Sequence, residues 1–336
     1  MPVIVPVIVP AIINVLAVTL AVLLLSSLVG LVYHRIASRR ERRLHPPTGE
    51  LFAIEKTRLH VLSTGHGTPT VVLDSALAGS SLSWSEIQPR LAEWTRVVSY
   101  DRAGFGWSDA SLAPRTVENM VEELDQLLSR ADVEAPYVLV GHSYGGWVAQ
   151  LYTSRHRKHV AGLILVDSPH PKDWMDPDAA QASRVERGAR LARRAAWCAR
   201  FGLMRLMFLL ERVRIGVFSE HGRIAELLGK TPLAIRRQLR TFWVQPKALE
   251  ALASQIENAP ASAAKVFEET SDYGDLPLVV LTAANPDAKR LDDQLQTTGL
   301  SRSGRHVVAR GSGHWIPLEE PDLIVDAVRD VLESTR

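Results

Sequence analysis

One corner of the chain limits its architecture more than any other feature. In "YVLVGHSYGGWVAQLY" an apolar run, Tyr137–Val140, ends in Gly141-His142-Ser143-Tyr144-Gly145-Gly146, and an apolar, helix-compatible run follows directly. A short, nearly unbroken apolar run reads as a strand covered on both faces, as in a parallel sheet. A strand that turns into a helix within so few residues is the repeating half of an α/β layer architecture. The glycines two before and two after Ser143 lack a Cβ, so strand and helix can pass closely. The serine then occupies a sharp turn, with its hydroxyl over the sheet edge and the Tyr144 N–H beside it at the helix start.

The rest of the chain repeats this alternation. Strands are expected over Arg58–Leu62, Thr70–Leu73, Arg96–Tyr100, Gly162–Val166, Leu278–Leu281 and His306–Ala309. Helices are expected over Trp84–Leu91, Val117–Ser129, Gly146–Arg155 and Pro321–Ser334. Thr116 caps the second helix, and Val117, Met120, Val121, Leu124, Leu127 and Leu128 form its apolar stripe. The expected fold class is α/β, with an open, doubly wound, mostly parallel sheet. At 336 residues, 46% apolar and 23% charged, the chain suits one large domain with an insertion.

The alternation stops between Lys172 and Tyr273, a stretch rich in Ala, Leu and Arg that reads as several helices. An insertion after a strand's C-terminal end sits over the edge where open α/β sheets hold their ligands. Residues 172–273 are therefore expected to be a helical cap, with the core in 51–171 and 274–336. Lys172–Lys265 carries 17 Lys and Arg against 9 Asp and Glu. That surface is either simply solvated or leans on anionic lipid. Phe201–Ile215, "FGLMRLMFLLERVRI", mixes bulky apolar side chains with Arg205, Arg212 and Arg214, as an interfacial helix does.

Met1–Tyr33 has no charged side chain. Ala11–Tyr33 would make a helix of about 34 Å, enough for a hydrocarbon core of about 30 Å. Pro2, Pro6 and Pro10 disfavour regular helix before it, so the span is expected to start near Ala11. Arg35, Arg39, Arg40, Arg42 and Arg43 follow, and the N-terminal flank has no Lys or Arg. The positive-inside rule then puts the following domain in the cytoplasm, behind a single-pass anchor. A cleaved signal peptide fits less well, because a basic n-region and a small-x-small site are missing and the apolar run is too long. The expected divisions are an anchor over 1–34 and a basic, proline-containing linker over 35–50.

A serine hydroxyl needs a base to become a nucleophile. Gly311-Ser312-Gly313-His314 lies between the last expected strand and the last helix, in a small-residue loop able to bring His314 over Ser143. Of the other histidines, His34 and His45 flank the anchor, His142 should point away from the serine, and His156 and His159 sit at a polar helix end. The lone Cys198 excludes an internal disulfide framework and a multi-Cys metal site, and reads as a small buried hydrophobe. The net charge of +2 gives no global reason to bind nucleic acid.

"VVLDSALAGSSLSW", "YDRAGFGWSD", "GHSYGGWVAQLY", "GLILVDSPHP" and "GSGHWIPLEEPD" follow one another as in the α/β-hydrolase superfamily, which the chain resembles over Leu51–Arg336. The resemblance implies a Ser-His-acid triad, an oxyanion hole and a helical cap. It is nearest to a bacterial branch whose first loop reads like "E-S-G-L-G-G". Ala76 and Ala78 stand where that branch has glycines. By position the second oxyanion donor, beside the Tyr144 N–H, is the Leu77 N–H. The acid is either Asp167, at the end of the sixth strand, or Asp287, after the seventh. A triad acid must orient the imidazole, and a strand end is more rigid than a loop, so Asp167 is favoured. In "DRAGFGWSD", Gly104 and Gly106 permit turns, and Asp101 and Arg102 are expected to pair.

The expected activity is hydrolysis of a small-molecule acyl ester, one of lipophilic character given the anchor and the apolar cap, with no metal or organic cofactor required. The same residues could serve acyl transfer, perhydrolysis or C–C bond hydrolysis. A non-catalytic, membrane-bound binding protein on the same scaffold is the alternative outside enzymology. An epoxide hydrolase or a haloalkane dehalogenase would need a carboxylate at position 143.

Overall fold

A computed structural model describes residues 5–209 and 229–335. Eight strands form one sheet: β1 Glu50–Ile54, β2 Thr57–Thr64, β3 Thr70–Asp74, β4 Val97–Tyr100, β5 Tyr137–His142, β6 Val160–Val166, β7 Leu278–Ala283 and β8 Gly304–Ala309. Their spatial order is β1-β2-β4-β3-β5-β6-β7-β8. The two edge pairings that involve β2 are antiparallel and the remainder are parallel. Of the strands, the sequence missed only β1, a five-residue edge strand that opens on Glu50 and buries only Ile54 fully.

The helices are α1 Val5–Leu44, α2 Gln88–Leu91, α3 Val117–Arg130, α4 Tyr144–Arg155, α5 Lys172–Met175, α6 Ala179–Arg200, α7 Leu203–Leu209, α8 Leu233–Trp243, α9 Pro246–Glu269, α10 Ala288–Thr298, α11 Ile316–Glu319 and α12 Pro321–Ser334. One face of the sheet packs on α3 and α4 through Met120, Leu124, Trp147 and Leu151. The other packs on Trp84 and Ile87 and on α12 through Ile324, Val328 and Val331. Central strands covered on both faces explain the unbroken Val, Ile and Leu runs.

Strand order reverses between β3 and β5, whose ends lie in register at Asp74 and Gly141. The loops leaving those ends diverge and open a crevice at the carboxyl edge, where ligand sites form in such sheets. Helices α5–α9 fill the interval between β6 and β7. Of the interfacial stretch Phe201–Ile215, residues 210–215, with Arg212 and Arg214, lie outside the described residues.

α1 departs from the sequence expectation at both ends. It starts at Val5 instead of Ala11. Pro6 falls in the first turn, where an N–H has no intrahelical partner, so only Pro10 removes a helical hydrogen bond. At the other end the helix runs through Leu44, across most of the expected linker. Hydropathy marks where the apolar run ends, whereas Arg35–Leu44 is rich in good helix formers and continues the helix. The helix is long and apolar enough to span a membrane. Ile12, Leu16, Leu23 and Leu28 are exposed along it. Cys198 is half-buried at the edge of an alanine-lined cluster of α6, not fully enclosed.

Candidate active site

Three strand ends supply the site. Ser143 follows β5 with φ +53° and ψ −118°, a strained conformation for a residue with a Cβ. Its N–H donates to the Val166 carbonyl at 2.8 Å, tying the corner to β6. A Cβ on Gly141 would stand 2.6 Å from the Gly146 Cα, and one on Gly145 would stand 2.6 Å from the Asp74 carbonyl oxygen. The glycines therefore allow α4 to start against both β5 and the end of β3. That contact brings the start of α4, where Tyr144 stands, against the end of β3, from which the loop carrying Leu77 leaves.

The loop after β3 is fastened despite its alanines. Ala78 takes φ +57°, the conformation a glycine would otherwise supply. The Ala76 carbonyl accepts from the Gly79 N–H at 2.9 Å and from the Arg102 guanidinium. Carbonyl and following N–H point opposite ways across a trans peptide, so holding Ala76 O also aims the Leu77 N–H. Ser75 Oγ donates to the Ser80 carbonyl at 2.7 Å. Leu77 itself is 37% exposed, in a region where its neighbours are buried.

Arg102 also lies 3.2 Å from Asp74, which accepts a 2.9 Å hydrogen bond from the Tyr100 hydroxyl. Full burial raises the Asp74 carboxyl above its ordinary range, against the pull of Arg102 and Tyr100. Asp101 and Arg102 therefore do not pair as expected. Asp101 instead faces the buried His60 at 3.0 Å and accepts from the Ser81 and Trp107 amides. Adjacent residues at a strand end point to opposite sides, so each meets a different layer.

Asp167 follows β6 with φ +43°. One carboxylate oxygen lies 2.6 Å from His314 Nδ1. The other accepts from the Ala283 N–H at 3.1 Å and from Arg290 at 3.0 Å. Burial acts to raise this carboxyl, but the His314 hydrogen bond, the charges of His314 and Arg290 and the Ala283 amide together hold it well below the ordinary range. Asp287 is not brought to His314. It is the N-cap of α10, accepting the Arg290 N–H at 2.7 Å. The helix it caps carries Arg290 to Asp167, so the two candidate acids are joined by one element.

His314 stands on the loop after β8. The Gly311 and Gly313 amides donate to Glu320 and Glu319 at 3.0 and 3.1 Å. His142 bonds through Nε2 to the His314 carbonyl at 2.8 Å, and the two rings are 5.0 Å apart. His142 thereby ties the serine corner to the histidine loop. Neither Arg290 nor His142 carries a sequence signal, because both act through partners far along the chain.

Above the edge, Leu239, Phe242 and Trp243 of α8 form an apolar cluster with Ala76 and Trp315. Ser143 is left 8% exposed. A cavity of about 410 Å³ lies elsewhere, between the Ala110–Arg115 loop and α9, and Ser143, Asp167 and His314 are not in its wall.

An eight-stranded, mostly parallel sheet with a serine corner at its carboxyl edge is the architecture of an α/β hydrolase. The chain belongs to the alpha/beta hydrolase family, whose model matches residues 64–327. An AB hydrolase superfamily protein of Gibberella zeae is 24% identical over 303 residues, covering 80% of this chain and 87% of that one. The Bacillus subtilis protein YqjL is 35% identical over 103 residues, 31% of this chain, and the match spans only 41% of YqjL. Among solved structures, the epoxide hydrolase CorEH superposes with a TM-score of 0.67 at 18% identity, covering 86% of this chain and 99% of that one. A thermophilic esterase from Thermogutta terrifontis gives 0.61 at 22% identity, covering 85% and 97%. At these identities the likeness is one of fold.

Proposed function

We propose that the protein is a membrane-anchored serine hydrolase that cleaves a lipophilic carboxylic ester. Ser143 Oγ attacks the acyl carbon, and His314 takes its proton. With Nδ1 engaged by Asp167, Nε2 is the imidazole nitrogen left to take that proton. The Tyr144 and Leu77 N–H groups hold the oxyanion. His314 then protonates the leaving alcohol, and water hydrolyses the acyl-enzyme by the reverse proton path. Asp167 orients the imidazole and stabilises its charged form.

The observation that carries this reading is the 2.6 Å Asp167–His314 contact, on a strand end and a loop to which the Ser143 corner is tied through Val166 and His142. A serine at the corner favours ester cleavage over epoxide opening, which uses a carboxylate there. The apolar cluster of α8 with Trp315 favours an apolar acyl or alcohol group, and residues 172–273 serve as the cap that supplies it. The uncharged span followed by five arginines favours an anchor with the catalytic domain on the cytoplasmic side. A fluorophosphonate probe tests the mechanism. Wild-type protein should label and the Ser143→Ala variant should not; equal labelling of both would overturn it. A reporter fused after Arg336 that is active only outside the cytoplasm would overturn the orientation.

A further inference from the structure

α1 does not leave the membrane-spanning stretch as a free tether. Gly30, His34, Ser38 and Glu41 recur at spacings of four, four and three, so they share one face of the helix. That face is covered by the cap. The Arg205 guanidinium pairs with Glu41 and donates to Ser38 Oγ at 2.8 Å, in contact with His34. Ser38 Oγ also meets the Gln245 side chain, just past α8, at 3.2 Å. His34 and Ser38 are buried although they sit on the otherwise exposed α1, and Arg205 of α7 is buried with them.

The contact reaches into the apolar stretch itself. Gly30 packs on the backbone of Phe201, and a Cβ on Gly202 would stand 3.1 Å from the Gly30 carbonyl oxygen. Gly202 has φ +72° and makes the α6–α7 corner. Gly30 is three residues, about 4.5 Å along the axis, inside the end of the Ala11–Tyr33 stretch. The corner is therefore level with the end of that stretch. Around it the cap presents Trp197, 60% exposed and stacked on Phe201, with Leu203 and Leu206, 46% and 48% exposed. Arg200 lies over the Trp197 ring. Aromatic and leucine side chains beside a basic one are what an interfacial surface presents to lipid.

We infer that the bilayer is the cap's partner: the α6–α7 corner, clamped to α1 by Gly30 and the Arg205–Glu41 cluster, is seated in the membrane interface beside the emerging helix. The inference rests on the reading of α1 as a membrane anchor. The bilayer is the occupant because the corner that bears the patch abuts α1 at Gly30 and Tyr33, the end of the apolar stretch that would cross it.

The test uses the full chain in phosphatidylcholine–phosphatidylglycerol vesicles, in a Cys198→Ser background. An environment-sensitive fluorophore is attached at Leu206→Cys, at Leu23→Cys within the span, or at Leu112→Cys, which is 99% exposed on the core. Lipids spin-labelled near the headgroup should quench the probe at 206 and leave the probe at 112 bright, and deeply labelled lipids should quench the probe at 23. Gly30→Leu keeps the span apolar but separates the helices, so quenching at 206 should fall towards that at 112 while 23 stays quenched. If 23 is quenched and 206 is as bright as 112, the seating is wrong and the anchor stands. If 206 is shielded from aqueous iodide but not quenched by lipid, a protein covers the patch and the inference is overturned. If 23 is not quenched by lipid, the anchor reading fails and the seating with it.

Discussion

Two layers meet over Ser143, and they are held by different means. On the sheet side, Ser143, Asp167 and the Ala76–Leu77 peptide hang from the ends of β5, β6 and β3, with hydrogen bonds of 2.6–3.1 Å fixing each. On the cap side, α8 approaches through Leu239, Phe242 and Trp243, by apolar contact. Strand-end groups are placed by ladder register, which cannot slip without moving a whole strand. Apolar contact is non-directional and tolerates exchange of shape. Chemistry should therefore be brittle on the lower layer, and selectivity adjustable on the upper.

The largest effect belongs to the lower layer. Ser143→Ala should cut turnover by about 10⁴-fold or more while leaving the melting temperature nearly unchanged, measured on p-nitrophenyl esters. Next comes the contrast between the acids. Asp167→Asn should lower kcat by about 10³–10⁴-fold. Asp287→Asn should leave kcat nearly intact, and Asp287→Ala should cost about 1 kcal/mol of stability through the lost cap of α10. If Asp287→Asn abolished turnover, the division between the two residues would be wrong.

The depressed Asp167 carboxyl gives a further check. A carboxyl held below its unfolded value stabilises the fold above the ordinary carboxylate range and loses that contribution as pH falls through and below it. The difference in urea midpoint between wild type and Asp167→Asn should therefore hold near pH 7 and shrink progressively only as pH falls below about 4.

Arg102→Lys comes third. It keeps a charge for Asp74 but loses the fork that also reaches Ala76 O. It should lower kcat by less than the roughly 10²-fold that a lost oxyanion donor costs, with KM little changed. The upper layer gives the smallest effect on turnover. Trp243→Ala should raise KM for long-chain esters about tenfold and leave short-chain kcat within a few-fold. A collapse of short-chain turnover would show that the cap also positions the reacting groups.

The sheet was readable because buried parallel strands announce themselves as runs of Val, Ile and Leu. The serine corner was readable because close approach of β5, α4 and β3 admits only glycine at 141 and 145. His314's partner could be ranked but not fixed: strand-end rigidity favoured Asp167, yet Asp287 also follows a strand, and only the three-dimensional register shows which of them meets His314. Arg102 looked like a partner for Asp101 because adjacency in sequence hides the alternation of strand side chains. The length of α1 was hidden for another reason. Hydropathy reports the solvent around a helix and says nothing of where its hydrogen bonds stop, so the helix past Tyr33 and its clamp on Arg205 leave only a faint four-four-three spacing.

The Asp167–His314 contact joins residues 147 positions apart. Everything from α5 to β8 must be made before it can close, because the insertion divides the sheet between β6 and β7. Ser143 reaches its strained corner on a strand whose neighbours β3 and β6 precede that insertion. During synthesis the corner can thus exist for the time taken to make well over a hundred residues without a base to arm it, at about 5–20 residues per second. On the mechanism proposed above, reactivity is among the last properties this chain acquires as it emerges: a product cut short before residue 314 would lack the base, and also the helix α12 that covers one face of β5.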